Sequence, residues 1–306
     1  MPTTHDDPVH QAAASVLGDD AADAVSALAQ HSRGVLATVL THASVRSFGP
    51  DPVPDDVEDA LQAALVRGPT SSALHSYTHV LVRDPERKRR MALLAGNQRW
   101  IDQAPLLIVG CADLRRAREV THAQGYAYTA HDLRMLISAT ADLTVGLQNA
   151  SLTAQSLGYG TVMLGGVLNG SLEIAQELGL PERVVPLVGL SVGRPAAGHW
   201  PAPRPRLPLQ LLVRRETWSL DPDDEAALID RFDAQTRAAR DFEGRRIPWP
   251  EMGVGGEDPI PDGDYGWREH TARKQGRASW RPQGAKVDVD LPAQGLRVRG
   301  TGDVDG

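Results

Sequence analysis

The sequence predicts an α+β fold in which helices are layered around one sheet. Three observations predict it. Four short runs rich in β-branched or apolar residues are separated by longer stretches with helical periodicity. The longest such stretch, residues 131–158, carries Leu133, Leu136, Ile137, Leu143, Leu147, Leu152 and Leu157 at threes and fours or their multiples. Small residues lie between them, the pattern of a helix buried on most sides and able to meet a second copy closely. Finally, 41% apolar and 23% charged residues over 306 positions are ordinary globular values, enough chain for one large domain or two modest ones.

Taken in order, PVHQAAASVL and AADAVSALAQH read as a helix pair across residues 8–31. Pro54, acids in the first turn and Gly68 beyond the end delimit a helix over PDDVEDALQAALVRG. SYTHVLVRD is β-rich, and PERKRRMALLAG reads as a helix opened by Pro85 and closed by Gly96. PLLIVGCAD lacks alternation and reads as a strand buried on both faces. After the long helix come a strand over YGTVMLGG, a helix over SLEIAQELG with Ser171 as its cap, and a strand over RVVPLVGLSVG. Dense proline from 195 to 208 excludes regular structure and reads as a crossing arm. A further helix is expected at 223–243. Beyond residue 247 the chain is rich in Gly, Pro and Asp and reads as a poorly packed tail. The expected division is an N-terminal helical extension (1–35), a central domain (36–246) and a Gly/Pro-rich C-terminal tail (247–306).

A net charge of −7 disfavours nucleic acid and acidic membrane surfaces as partners, because polyphosphate rewards the opposite sign. The single cysteine, Cys111, cannot form an intrachain disulfide or a Cys-based zinc site, which fits a reducing cytoplasm. It sits in an apolar run and reads as a buried strand thiol. The first thirty residues lack a basic n-region, and no apolar run approaches the length of a membrane span.

Several motifs bear on chemistry. THASVRSFGP sets His42, Ser44 and Arg46 at alternate positions, which share one face of an extended segment. Such a trio suits either a solvated edge or an anion, most naturally a phosphate. GLSVG (189–193) fits the pattern of a hydrolase nucleophile elbow, but RPAAGHWPAPRPRLP follows it and cannot supply the required helix. Ser191 is therefore assigned to a strand. His75 and His79 stand four apart with no matching ligand cluster, so no metal is expected. The glycines at 158, 160, 165 and 166 lack dinucleotide-fingerprint spacing and mark close backbone approach instead.

Five pieces in order, HASVRSF (42–48), GPTSSALHSY (68–77), GNQRWIDQAP (96–105), LGYGTVMLGG (157–166) and RPRLP (204–208), together resemble the flavin-dependent nitroreductase family. They look closest to its NADPH-preferring, oxygen-insensitive nitroreductase and flavin reductase group, over roughly residues 35–245. The resemblance implies a three-layer α-β-α sandwich with a mixed central sheet, homodimeric with an extended C-terminal arm, and FMN at the dimer interface. NAD(P)H would be the co-substrate and a small molecule (a nitroaromatic, a quinone or free flavin) the electron acceptor. It further implies that His42, Ala43, Ser44 and Arg46 meet the phosphate and pyrimidine side of FMN, and that Thr70, Ser71 and Ser72 reach it from the partner subunit. Gln98 would bond the ring or ribityl chain. The backbone of Met163, Leu164, Gly165 and Gly166 would face flavin N5, and Arg204 and Arg206 the phosphate. No catalytic side chain is implied, since the chemistry is carried by FMN N5. Ala43 stands where a second base is common, His75 where Gln is usual, and Glu243 where a base would meet the NADPH 2′-phosphate, with Arg245 and Arg246 nearby. A specialised biosynthetic flavin enzyme and a flavin-binding protein with little turnover are the alternatives.

Overall fold

Eight successive residues, Leu106–Asp113, are all buried, and a strand covered on both faces belongs inside a sheet. The structure, a computed structural model, describes residues 7–17, 22–23, 25, 34–196, 200–242, 244–253, 255–277 and 280–297. Its strands are β1 (Tyr77–Val82), β2 (Leu106–Asp113), β3 (Gly160–Leu164) and β4 (Val184–Gly193), in the order β1-β2-β4-β3. Every pairing is antiparallel, so among the described residues the sheet is antiparallel where a mixed one was expected. The reason lies in the order. β4 inserts between β2 and β3, so these two like-directed strands never touch.

The chain forms two compact units, Met1–Thr41 with Pro203–Gly284 and His42–Ala202 with Ala285–Gly306. The second holds the sheet. Its central helix, Asp132–Ser156, buries Leu136, Ala139, Leu143, Leu147, Ala150 and Ala154 in the same apolar cluster as Leu106, Ile108 and Leu190 of the sheet. Leu133 and Ile137 stay exposed, at 40% and 63%. The other sheet face packs Leu107 and Val109 with Met91, Ala92 and Ile174 from the helices Pro85–Leu94 and Ser171–Glu177. Pro85 opens its helix as expected, and the Asp84 carboxylate caps it by accepting from Arg87 N–H at 2.7 Å. Ser171 is not a cap. Gly170 holds that position, and the buried Ser171 hydroxyl donates to Pro186 O at 3.3 Å. Of the N-terminal pair, Pro8–Leu17 is helical, and most of the second helix lies outside the described residues. Helices Val35–Leu40, Arg99–Gln103 and Arg115–Ala123 were not anticipated.

The segment beyond 247 corrects the expectation of a poorly packed tail. It contains the helices Trp267–Gly276 and Trp280–Ala293. Arg273, only 1% exposed, bonds Asp258 through both terminal nitrogens at 2.6 Å and Glu269 at 2.7 Å, with the Trp249 and Tyr265 rings 5.0 and 5.1 Å away. A guanidinium held by carboxylates and aromatic faces is a core without an apolar stripe. In the sheet unit, Leu291 and Leu296 join the main apolar cluster. The buried Arg183 pairs with Asp132 and donates to Gly295 O at 2.8 Å. Among the described residues no helix is long and apolar enough to cross a membrane.

Candidate functional site

The site grows from the edge strand β3. A Cβ on Gly160 would stand 2.5 Å from Val45 Cγ2, so only glycine lets residues 42–48 lie against the strand. Val45 N–H donates to Thr161 O at 2.9 Å, and Phe48 bridges Pro195 just beyond β4. Val45 is fully buried while Ser44 and Arg46 are not. The two polar side chains therefore take the face opposite the core, as the alternation predicted. His42 reaches the central helix, with Nδ1 2.9 Å from Gln155 Oε1. Ala43 is half-buried beside it.

The Arg46 guanidinium lies 5.7 Å from the centroid of the Trp100 ring, within cation–π range. Trp100 Nε1 is buried with no hydrogen-bond partner among the described residues, and an indole N–H can only donate. Two residues earlier, Gln98 Nε2 donates to Ala95 O at 2.9 Å, and Asn169 Nδ2 donates to the same carbonyl at 3.3 Å. The Asn169 amide ties the turn Gly165–Gly170 to the end of the helix Pro85–Leu94, and the Gln98 amide packs against Gly166. The glycine pair there is asymmetric. A Cβ on Gly166 would sit 1.9 Å from Gln98 Nε2 and 2.5 Å from Ala95 O, whereas one on Gly165 meets nothing within 4 Å. One side is closed by protein and the other is open. Leu164 turns its side chain into the core and Met163 is half-buried, so backbone is what this stretch offers to the open side.

Residues 42–46, Gln98 and 163–166 are thus gathered in one place within one unit. The Ser turn is not gathered with them. Ser71 donates its N–H to Asp142 at 3.0 Å and its hydroxyl at 2.9 Å. Thr70 precedes it, and Ser72 holds a φ of 51°. Asp142 and Gln155 anchor the two sets at points about 20 Å apart along the same helix, at 1.5 Å rise per residue. Arg204 and Arg206 belong to the other unit, where with Leu207, Phe232, Phe242, Arg245 and Trp267 they line a cleft of ≈ 310 Å³. Glu243 lies outside the described residues. Arg246 is engaged by Asp258 at 3.0 Å and Asp262 at 2.9 Å, while Arg245, which donates to Asp241 O, lines that cleft.

Sequence reasoning missed Asp142, Gln155, Trp100 and Asn169. The available signal was a polar residue breaking an apolar helical stripe, as Asp142 does beside Leu143. Ser191 lies fully buried within β4. Burial pushes the Cys111 thiol up to about 12, so it is a packing residue and not a nucleophile. His79 Nε2 lies 3.4 Å from Leu143 O, and burial holds its pKa below the usual histidine value. Among the described residues no cluster of three His, Cys, Asp or Glu could hold a metal.

Residues 39–194 match the nitroreductase family. An FMN reductase (NAD(P)H) of Bacillus subtilis is 35% identical over 204 residues, 66% of this chain and 80% of the relative. Among solved structures, a hypothetical oxidoreductase of Bacillus subtilis aligns with a TM-score of 0.74 at 29% identity, covering 87% of this chain and 98% of that one. An NADPH:FMN oxidoreductase of Vibrio harveyi complexed with NAD+ aligns with a TM-score of 0.68 at 25% identity, over 87% and 99%.

Proposed function

The chain belongs to the nitroreductase family, and on that premise we propose that it is an FMN-dependent NAD(P)H oxidoreductase acting in the cytoplasm on nitroaromatics, quinones or free flavin. The observation that carries this reading is the junction at the end of β3, where Gly165 leaves backbone open near the exposed Arg46, whose guanidinium lies against the half-buried Trp100 ring. When bound, FMN supplies the hydride transfer between the nicotinamide and the acceptor. The chain's own residues hold and orient it. Arg46 and Ser44 suit the phosphate, a guanidinium fork and a hydroxyl donor being the usual pair for that group. The orphaned Trp100 N–H suits an acceptor-rich ligand at the same spot. Gly165 keeps a side chain out of the way of a flat ring on that side, and Asn169, bonded to Ala95 O, helps hold that backbone still. The binding domain on this reading is residues 36–246; the family match over 39–194 supports its first part, and its residues from 203 onward belong to the other compact unit.

A homodimer completes the proposal. The separation of the Asp142-bound Ser turn from His42 supports it, because one chain keeps these parts of the site apart. The central helix exposes Ala141, Thr144 and Gln148 between its two anchor points. An antiparallel meeting of two such helices near Gln148 would bring the Ser turn of one copy to His42 of the other. Sedimentation at micromolar concentration should give a dimer, and a monomer retaining FMN would contradict this part. The function itself is tested by anaerobic stopped-flow addition of NADPH or NADH to the flavin-loaded protein. Rapid bleaching of the yellow colour, followed by recovery with a quinone or nitroaromatic, is expected. Absence of bleaching with both nucleotides would sink the proposal.

A further inference from the structure

We propose that Gln155 is a positioning residue that fixes the His42 ring with its proton on Nδ1, so that Nε2 is the one ring position left for the bound ligand. The inference rests on the reading of His42 as part of the FMN site. Its geometry stands alone. Gln155 Nε2 lies 3.0 Å from Ser151 O and 3.0 Å from Ser151 Oγ. A backbone carbonyl can only accept, so the amide nitrogen must face it and Oε1 must face the imidazole. Oε1 also only accepts. The atom 2.9 Å from it, His42 Nδ1, must therefore carry a proton in every charge state of the ring.

Gln155 is itself held. Ser151 Oγ lies 2.7 Å from Thr161 Oγ1, and both residues are only 1% exposed. Thr161 also accepts from Val45 N–H through its main-chain oxygen. One residue of β3 thus fixes the 42–46 segment twice, by backbone at Val45 and through Ser151 and Gln155 at His42. Toward the ligand the neutral ring presents an acceptor at Nε2, suited to a ribityl hydroxyl or a ring N–H. The donor tasks at the phosphate then fall to Ser44 and Arg46.

The test reads the tautomer directly. In the full-length protein labelled with 15N at the histidine rings, the His42 signal is assigned by its loss in His42→Gln. At a pH where the ring is neutral, wild type should show Nδ1–H. Gln155→Leu should release the ring to Nε2–H and weaken FMN binding, measured by fluorescence titration of the flavin-stripped protein, at least about tenfold. Gln155→Glu retains an acceptor oxygen and should keep Nδ1–H, which covers the case in which the leucine variant does not fold. An Nε2–H ring in wild type, or an unchanged tautomer in Gln155→Leu, overturns the proposal. A switched tautomer with unchanged FMN affinity overturns the positioning role toward the ligand. Failure of wild type to bind FMN would instead remove the functional reading, and the tautomer measurement distinguishes the two.

Discussion

The two glycines at the end of β3 should respond oppositely to the same added methyl group. Neither has a positive φ, so alanine meets no conformational obstacle at either position and only space decides. At Gly166 the new Cβ would lie 1.9 Å from Gln98 Nε2 and 2.5 Å from Ala95 O. The amide can swing away, but it then gives up its bond to Ala95 O, worth about 0.5–1.5 kcal/mol. The carbonyl is backbone and must be displaced, and overpacking of this kind costs about 1–3 kcal/mol. Gly166→Ala should therefore lower stability by about 1.5–4.5 kcal/mol, the sum of the two effects. At about 2–4 °C per kcal/mol for a domain of this size, a melting point several degrees lower is expected. Gly165→Ala adds its methyl to open space, so its melting point without flavin should match wild type. If the open side is where the flavin ring lies, that methyl occupies the ring's place, and FMN affinity should fall at least about tenfold, about 1.4 kcal/mol. The assay is paired, with thermal melts of the flavin-free proteins and fluorescence titration with FMN. A Gly165→Ala protein that binds FMN as tightly as wild type would refute the assignment of this backbone to the ring.

Four further outcomes are expected. Arg46→Ala should weaken FMN by about 1.5–3 kcal/mol, the value of hydrogen bonds to a charged group, as read by equilibrium titration; full retention would move the phosphate elsewhere. Arg183→Met leaves Asp132, itself 7% exposed, buried without its partner, and should cost about 3–5 kcal/mol in a denaturation experiment. Burial holds the pKa of both His79 and His270 below the ordinary value, helped at His270 by the charges of Lys274 and Arg277. The unfolded chain then binds protons that the folded chain refuses, so stability should decline as pH falls below about 6.5; His79→Gln should flatten that decline, and an unaltered pH–melting curve would count against it. Arg245→Ala should reduce kcat/KM for NADPH more than for NADH, whereas Arg246→Ala, by breaking the pair with Asp258, should lower the melting point and leave nucleotide preference unchanged; the reverse pattern would exchange their roles.

What the sequence made legible follows from how each element is held. β2 and the central helix write their burial into the chain as apolar runs and stripes, and both were found where expected. The pairing order was not legible, because the insertion of β4 between β2 and β3 depends on contacts between distant segments. The segment beyond 247 was misread for a related reason. Arg273 and Asp258 do there what leucines do elsewhere, and a guanidinium between aromatic rings has no periodicity to detect. At the site, the alternation in HASVRSF correctly placed Ser44 and Arg46 opposite a buried Val45. It could not reveal Gln155, which stands on a helix read only for its apolar face. Asp142 was hidden in the same way, although a carboxylate inside an apolar stripe needs a partner to be tolerated there. Both hidden residues are bound to segments that carry the recognisable motifs, Asp142 to Ser71 and Gln155 to His42. The motif residues could be read from local pattern because their neighbours in sequence set the face they occupy. Their partners could not, because a helix over a hundred positions away in one case and about seventy in the other supplies them, and only the folded chain brings those positions into register.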